Sequence, residues 1–576
     1  MVQKTSLMHK RARHLWMGAL NGALLLTPPL VLAFASGAAR LGPWAPVYGL
    51  LLSVLVLALP VLVVKTWRTL FLLHLPLLAL SPLFVWYVLN FSAPPDENAF
   101  AVLLTSSPAE VRGFVQLFSL QVPLSLSVAV LAVYAVQAVC LGSNPIPVSL
   151  RNAVRWLSIP LLVLLLWMPS KGPRGIGVDV GENVHSYLTS SYPLGGLISI
   201  VGGLEGNAHA LGLFEKPEPY GAIANAVSAT PRTHILVIGE SARADRFHIF
   251  GYARQTTPEL EHLDGLLAFK RTYSTGNLTL LAVPMLMTGI APAAYSPQSI
   301  RGTLIDLANE AGYFTAWLSN QNIALYKIFR PRPQVWRQPA DMGNWSDNHA
   351  TPDDVLLTPL DDVLRDEHPH KFIVMHTYGS HWDYTLRLPD DGFHFSGRDR
   401  AAVRAAIRAE TSGGTAADAY DDTILHTDFL LSQIIRRASR LPGEVTVTYI
   451  PDHGEALMAM EGRVTHGFRD FNVSELHIPL LVWANPAFKT AHAAQWQALG
   501  ARTGQVVSQD AVFYTTASML GIEFPAQDPR RDLTSPAFRP VPVQQLQFRI
   551  AGSAELRRLQ DAVDWPKACK PLNACD

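Results

Sequence analysis

The first 170 residues alternate between long apolar runs and short polar segments. Five runs have about the length, roughly 20 residues, that a helix needs to cross the hydrocarbon core of a bilayer. They are residues 17–36, 44–64, 69–91, 114–141 and 152–168. The fifth run is the shortest and carries Arg155, which fits a membrane helix if its guanidinium reaches the surface. The pattern predicts an N-terminal domain of five transmembrane helices, residues 1–168.

Basic residues are concentrated in alternate loops of this region. One set comprises Lys4, Lys10, Arg11, Arg13, Lys65, Arg68, Arg151 and Arg155, whereas the other loops contain Arg40 and Arg112. The positive-inside rule places the first set, and with it the N-terminus, in the cytoplasm. Five crossings then put everything after residue 168 on the outer face of the membrane, and four would put it in the cytoplasm.

Residues 169–230 form a connector rich in Gly, Pro and Ser. Its apolar segment 191–204 is interrupted by glycines. This favours a helix or loop that lies on the membrane surface over a sixth span, and a plain linker is the alternative.

From residue 231 to residue 576 the pattern changes to short β-branched runs separated by helical stretches. The runs are residues 234–239, 371–375, 444–450 and 477–483, and residues 420–439 are a typical helical stretch. Continuous apolar strands that alternate with helices indicate a largely parallel sheet with helices on both faces. In such α/β sheets the chemistry gathers at the carboxyl ends of the strands.

Composition and cysteine content narrow the class of protein. Hydrophobic residues make up 49% and charged residues 16% of the chain, and 46 basic residues balance 46 acidic ones. Without a basic excess, the chain is not expected to bind nucleic acid. The three cysteines, Cys140, Cys569 and Cys575, exclude a disulfide framework. At most the last two could pair, in an oxidising compartment.

Acidic and histidine side chains follow two of the predicted strands. Glu240 comes directly after the first run, and Asp452 and His453 follow the run 444–450. Because the strand ends meet at one edge, these side chains can converge on one cation. Two carboxylates, an imidazole and a hydroxyl suit catalytic Zn²⁺, with Mn²⁺ as an alternative. Ordinary explanations also exist: Glu240 could cap a helix that begins at Ser241, and His453 could be a hydrogen-bonded core residue.

Seven motifs, in this order, resemble membrane-bound phosphoethanolamine transferases, in the sulfatase-like branch of the alkaline phosphatase superfamily. They are GESARADRFHIFGYARQTTPEL (239–260), STGNLTLLAVPMLMTG (274–289), HTYGSHWDYTLRLP (376–389), YDDTILHTDFLL (420–431), PDHGEAL (451–457), THG (465–467) and HIPLLVW (477–483). The five membrane runs are similar to the family's architecture too. The resemblance implies a multi-pass protein of the bacterial inner membrane with a sulfatase-like catalytic domain in the periplasm.

The resemblance also assigns a metal site. Glu240, Asp452 and His453 match the family's metal ligands, and Thr279 matches its nucleophile, which also contacts the metal. The implied cofactor is one Zn²⁺ ion. Taken alone, Thr279 lies in a Thr/Ser-rich stretch and would be read as an ordinary loop residue.

Further positions match residues that the family places around the substrate. His381 and His466 match the histidines beside the phosphoryl group, where they could also hold a second metal ion. Glu455 is expected to orient a ligand. Lys327 is a candidate phosphate contact, and Glu110, in the loop before the fourth run, is a candidate for binding the lipid donor.

The implied reaction is transfer of phosphoethanolamine from phosphatidylethanolamine to an envelope acceptor, through a covalent intermediate on Thr279. Diacylglycerol is released, and the acceptor is the lipid A or core of lipopolysaccharide or another glycan. The implied protein is a monomer. Alternatives with the same site are phosphoglycerol transfer and phosphodiester hydrolysis. A non-catalytic lipid-binding or transport protein is the alternative of another class. The Cys/Ser-x-Pro-x-Arg pattern that supplies a formylglycine nucleophile is absent from the sequence.

Overall fold

The computed structural model shows two compact units that separate near residue 205. It describes residues 20–34, 45–91, 95, 120–141, 144–167, 188, 191–198, 201, 218–224, 230–296, 299–321, 332–338, 351–397, 399–410, 412–462, 465–467, 471–550 and 555–568.

The first unit consists of apolar helices. Their bounds are α1 Leu20–Phe34, α2 Ala45–Ala58, α3 Pro60–Val63, α4 Trp67–Phe91, α5 Gln121–Leu141 and α6 Val148–Trp167. Every one of the five predicted segments therefore contains helix. In the described part of the chain, two stretches are long and apolar enough to cross a membrane, Trp67–Asn90 and Val148–Trp167. The count of five spans stays a prediction.

Helix α6 begins four residues before the predicted start of the fifth run, so Arg151 lies inside the helix rather than beside it. Its Nη2 atom donates a hydrogen bond to the carbonyl oxygen of Val64, at 2.9 Å, just beyond the end of α3. A cation is favourable at the carbonyl end of a helix, and this contact explains how α6 accommodates the charge.

The described part of the predicted surface segment belongs to the first unit and contacts its helices. Residues 194–198 are helical. Just before them, the Tyr192 amide donates to the hydroxyl of Ser53 in α2 at 2.8 Å, and the Tyr192 hydroxyl donates to the carbonyl of Leu77 in α4. Most of the connector lies outside the described residues, and its placement on the membrane surface stays a prediction.

The second unit is an α/β domain. Its strands are β1 Ile223–Ala224, β2 Arg232–Gly239, β3 Leu266–Tyr273, β4 Phe314–Ser319, β5 Val335–Arg337, β6 His370–His376, β7 Glu444–Pro451, β8 His477–Ala484, β9 Val506–Ser508, β10 Ile522–Glu523, β11 Gln547–Ile550 and β12 Glu555–Arg558. Its helices are α7 Thr279–Thr288, α8 Leu304–Glu310, α9 Leu357–Leu364, α10 Arg400–Ala409, α11 Gly414–Ala438, α12 Met458–Glu461, α13 Pro486–Ala491, α14 Ala493–Gly500, α15 Ala511–Leu520 and α16 Trp565–Ala568.

Eight strands form one sheet in the order β5-β4-β6-β2-β7-β8-β3-β9. Strand β8 is antiparallel to β7 and β3, and all other neighbours in this sheet are parallel. The predicted fold class, an α/β domain with a largely parallel sheet, is confirmed. All four predicted runs are strands, and residues 420–438 of the predicted helix 420–439 belong to α11.

The central strands are apolar and buried because helices cover them. Ile235, Val237 and Val447 are at most 2% exposed and belong to the main core, which also includes Ile424 and Leu431 of α11. Strand β2 lies between β6 and β7, in parallel register with both. The carboxyl ends of these three strands therefore lie side by side, and the residues that follow them share one edge of the sheet.

Candidate metal centre

The register of β2 and β7 brings two carboxylates together. Gly239 lies opposite Pro451, and the next residues along the two strands are Glu240 and Asp452. Each strand is apolar and buried to its end, so the first acidic residue after it is still held in the interior. Glu240 is 1% exposed and Asp452 is fully buried.

The four side chains predicted to form the metal site are gathered in one cluster. His453 Nε2 lies 3.4 Å from Glu240 Oε1 and 3.2 Å from Asp452 Oδ2. The Thr279 hydroxyl lies 3.2 Å from Glu240 Oε2 and 3.2 Å from His453 Nε2. The acids and the imidazole are buried, whereas Thr279 is partly exposed. The cluster is therefore reached from solvent on the side of the threonine.

The charge on the cluster is poorly compensated by the protein itself. Burial raises the pKa of Glu240 to about 7, and the neighbouring Asp452 charge acts in the same direction. Burial also raises the pKa of Asp452 to about 6. Among the described residues, Asp452 Oδ2 has no hydrogen-bond partner. A buried polar atom without a partner is costly, and a divalent cation would satisfy it. The donor set therefore fits a metal ion.

The protonation state of His453 also suits a ligand. Its Nδ1 atom lies 2.8 Å from the carbonyl oxygen of Gly454, which can only accept, so Nδ1 carries the hydrogen. Burial, together with neighbouring His466, lowers the pKa of His453 to about 4, so the imidazole is neutral at pH 7. The lone pair on Nε2 then faces both carboxylates and the hydroxyl, which is the arrangement a metal-binding histidine requires.

The two histidines predicted to face the phosphoryl group lie beside this cluster. The ring of His466 is centred 3.9 Å from that of His453 and 5.6 Å from that of His381. Glu240, His453 and His466 offer ligand atoms within 4.8 Å of one another, so His466 is also close enough to bind a metal. Its Nδ1 atom lies 2.9 Å from the buried carboxylate of Glu455. This contact orients the imidazole of His466, and the role of Glu455 in orienting a metal ligand stays a prediction.

The local structure differs from two of the ordinary explanations. Glu240 does not cap an α-helix: Ser241 has a φ of 56°, and a 3₁₀ turn follows only at Ala244–Arg246. Thr279 is the first residue of the ten-residue helix α7 rather than a loop residue. The amides at a helix start favour anions, so its place suits a nucleophile that meets a phosphoryl group. Lys327, Glu110, Cys569 and Cys575 lie outside the described residues.

Gln509 joins the end of β7 to the loop that leads to Thr279, and this role was not predicted. Its Nε2 atom donates to the carbonyl oxygens of Pro451 and Asp452, both at 2.8 Å. Its Oε1 atom accepts from the amide of Thr275 at 3.1 Å and from the hydroxyl of the same residue at 2.8 Å. The end of β7 is thus fastened to the loop that leads to Thr279. No motif around Gln509 indicates this role.

Gly454 has no room for a side chain. A Cβ atom at this position would lie 2.0 Å from the carbonyl oxygen of Ser474, so the backbone on one side would have to move. We expect Gly454→Ala to lower the free energy of unfolding by about 1–3 kcal/mol or more and to weaken metal binding through His453. Chemical denaturation and metal titration of the purified protein measure both effects.

Gly504→Ala is the matched control, because a Cβ there meets no atom within 4 Å. It should leave both quantities unchanged. Equal stability and equal metal affinity of the two variants would contradict a role for the close contact between Gly454 and Ser474.

Comparisons with known proteins identify the family of the α/β domain. The family profile described as Sulfatase matches residues 232–522, about half of the chain and most of the α/β domain. Phosphoethanolamine transferase EptC of Escherichia coli strain K12 is 25% identical over 320 residues, which is 54% of each chain. Phosphoethanolamine transferase EptA of Salmonella typhimurium strain LT2 is 25% identical over 315 residues, covering 53% of this chain and 56% of its own. The matched segment spans about half the length of these relatives.

A similar fold extends beyond the matched segment. The structure of the integral membrane protein lipooligosaccharide phosphoethanolamine transferase A (EptA) from Neisseria meningitidis superposes with a TM-score of 0.65 at 20% identity. The match covers 90% of this chain and 99% of that one. The predicted resemblance is thus confirmed by profile, relatives and fold. The chain belongs to the sulfatase family.

Proposed function

We propose that the protein transfers phosphoethanolamine from phosphatidylethanolamine to an acceptor in the bacterial envelope, either the lipid A or core of lipopolysaccharide or another glycan. The observation that carries the proposal is the partly exposed hydroxyl of Thr279, set within 3.2 Å of a buried carboxylate and of a neutral imidazole. The names of the relatives supply the group transferred. Zn²⁺ is the proposed cofactor, held by Glu240, Thr279, Asp452 and His453.

When bound, Zn²⁺ would supply the positive charge that lowers the pKa of a nearby alcohol and offsets charge on phosphoryl oxygens. The chain's own residues would perform the transfer in two displacements. The Thr279 hydroxyl would lose its proton and Oγ1 would form a bond to phosphorus, while the bond to the diacylglycerol oxygen breaks and that oxygen takes up a proton. An acceptor hydroxyl or phosphate oxygen would then form a bond to the same phosphorus while the bond from phosphorus to Thr279 Oγ1 breaks. Thr279 takes up a proton and is regenerated.

His381 and His466 would stabilise the charge that develops on the phosphoryl oxygens. Phosphoryl transfer depends mainly on positioning and electrostatics, and both imidazoles lie beside the metal cluster. The Nδ1 atom of His466 lies 2.9 Å from Glu455, and burial raises the pKa of Glu455 to about 7, so the protonated carboxyl group can donate to Nδ1 and leave Nε2–H as a donor to the substrate. Lys327 and Glu110 are retained as proposed contacts to the phosphate and to the lipid donor.

The proposed setting is the bacterial inner membrane, with five spans and the α/β domain in the periplasm. Donor and acceptor are then lipids or lipid-linked sugars on the same face of the bilayer, and tethering the domain raises their effective concentration. A reporter fused after residue 230 should be active only outside the cytoplasm. Reporter activity confined to the cytoplasm would contradict the prediction of five spans.

The decisive experiment uses the full chain, reconstituted with Zn²⁺ in vesicles that contain phosphatidylethanolamine and no acceptor. We expect diacylglycerol release and, by mass spectrometry, a peptide in which Thr279 carries phosphoethanolamine. Vesicles of phosphatidylglycerol test the alternative, because a phosphoglycerol adduct there and none with phosphatidylethanolamine would overturn the proposed head group. Lipid and glycan mass spectrometry of cells with and without the protein would identify the acceptor.

A further inference from the structure

The side-chain amide of Gln321, which has no role in the proposed reaction, contacts the Glu240 carboxylate of the metal cluster. Gln321 lies two residues after the end of β4 and is 2% exposed. Its Nε2 atom donates to Glu240 Oε2 at 3.0 Å and to the carbonyl oxygen of Thr377 at 2.6 Å. The amide nitrogen thus joins the carboxylate to the backbone that follows β6.

The backbone of Gln321 is itself fixed. Its amide nitrogen donates to the hydroxyl of Ser319 at 3.0 Å, and the same hydroxyl donates to its carbonyl oxygen at 3.0 Å. The neighbouring Asn320 donates to the buried carboxylate of Asp353 at 2.8 Å. Because these hydrogen bonds fix the backbone, the side chain of Gln321 reaches Glu240 from a fixed position.

Gln321 and Ser241 together fix the plane of the Glu240 carboxylate. The Ser241 hydroxyl donates to Oε1 at 2.9 Å, whereas Gln321 donates to Oε2, the oxygen that lies 3.2 Å from the Thr279 hydroxyl. Rotation of the carboxylate would break both hydrogen bonds. Without the Gln321 contact, the Oε2 atom of the buried Glu240 carboxylate would lose the hydrogen bond that the carboxamide donates.

We propose that Gln321 is a positioning residue that sets the orientation of Glu240 and, through it, the affinity of the site for its metal ion. The inference rests on the proposed function, because it takes Glu240 as a metal ligand. Gln321 and Thr279 both contact Oε2 of Glu240, and the proposed effect of Gln321 acts through this carboxylate. Groups that orient a metal ligand typically change metal affinity about 10–100-fold when they are removed, and a loss in this range is expected here.

The test is Zn²⁺ binding by the purified full chain, measured by competition with a chromophoric chelator. Gln321→Met keeps the length of the side chain and removes the donor, and we expect its affinity for Zn²⁺ to fall about 10–100-fold. Gln334→Met is the matched control: this glutamine donates to the carbonyl oxygen of Tyr313 at 3.5 Å, outside the metal cluster, and should keep wild-type affinity. Thermal unfolding in excess chelator reports on the metal-free fold of both.

Gln321→Asn supplies a second variant should Gln321→Met fail to fold. It retains the amide but shortens its reach by one methylene, and its affinity should fall between those of wild type and Gln321→Met. Wild-type affinity in whichever variant folds would overturn the positioning role while leaving the proposed function intact. If the wild-type chain binds no Zn²⁺, the proposed metal site fails instead, so the two failures are distinct.

Discussion

Thr279→Ala is expected to reduce turnover of phosphatidylethanolamine by at least about 10³-fold, because it removes the atom that attacks phosphorus. Thr279→Ser keeps a hydroxyl at the start of α7 and should retain measurable transfer. Thr279→Ala removes one proposed ligand and its hydrogen bond to Glu240, but both buried acids and His453 remain, so Zn²⁺ affinity should fall less than turnover does. Diacylglycerol release from vesicles measures the rate, and mass spectrometry measures the covalent adduct.

Thr288→Ala is the matched control for this experiment. Thr288 lies at the other end of the same helix, where its hydroxyl donates to the carbonyl oxygen of Pro284 at 2.7 Å. Its loss should leave the rate nearly unchanged. Full turnover by Thr279→Ala would contradict a covalent intermediate on this residue.

Asp452→Asn is expected to weaken Zn²⁺ binding by more than the roughly 100-fold that loss of an orienting group costs, because it removes a charged ligand atom. The fold should survive. Asp452 Oδ1 accepts from the amides of Ser241 and His453, at 3.1 and 2.7 Å, and asparagine can keep both contacts. The new amide can donate to His453 Nε2, so stability in excess chelator should be maintained or increased.

Asp422→Asn should affect stability and metal affinity in the opposite way to Asp452→Asn. This buried carboxylate uses both oxygens as acceptors for backbone amides of His394, Phe395 and Ser396, at 2.8–3.1 Å. One N–H group of the asparagine would face a donor, so the metal-free fold should lose stability while Zn²⁺ affinity stays at the wild-type level. Equal metal affinity in both variants would exclude Asp452 as a ligand. Metal titration and thermal unfolding separate the two effects.

The sequence predicted the central strands better than the outer ones, and the reason is local. Strands β2, β6, β7 and β8 are continuous apolar runs, which buried strands in such a sheet require. Strand β3 contains Lys270 and Arg271, and its register with β8 shifts between Phe269 and Thr272. That irregularity removes the pattern by which the strand could be recognised. Strand β4, FTAWLS, has one β-branched residue, and a short apolar run of this kind cannot be distinguished from a buried helix segment.

The residues of the site, too, could be predicted only where a sequence pattern marks them. Glu240, Asp452 and His453 could be placed together because each follows a predicted strand that ends at the same edge. Thr279 follows no such strand and was identified only through resemblance. Gln321 was not predicted, since hydrogen bonds from a carboxamide to one distant carboxylate leave no periodic pattern in a sequence.

The contacts of Gln509 impose an order on how the protein matures. They join residues 451 and 452 to residue 275, and the glutamine that does so comes nearly 60 residues after the later of these stretches. Contacts between distant parts of a chain form slowly, because long loops must close first. As the polypeptide leaves the ribosome, Glu240 emerges early, whereas the loop that leads to Thr279 can be joined to the end of β7 only after residue 509 has docked. Metal capture would then be a late event that completes folding, not the nucleus that starts it.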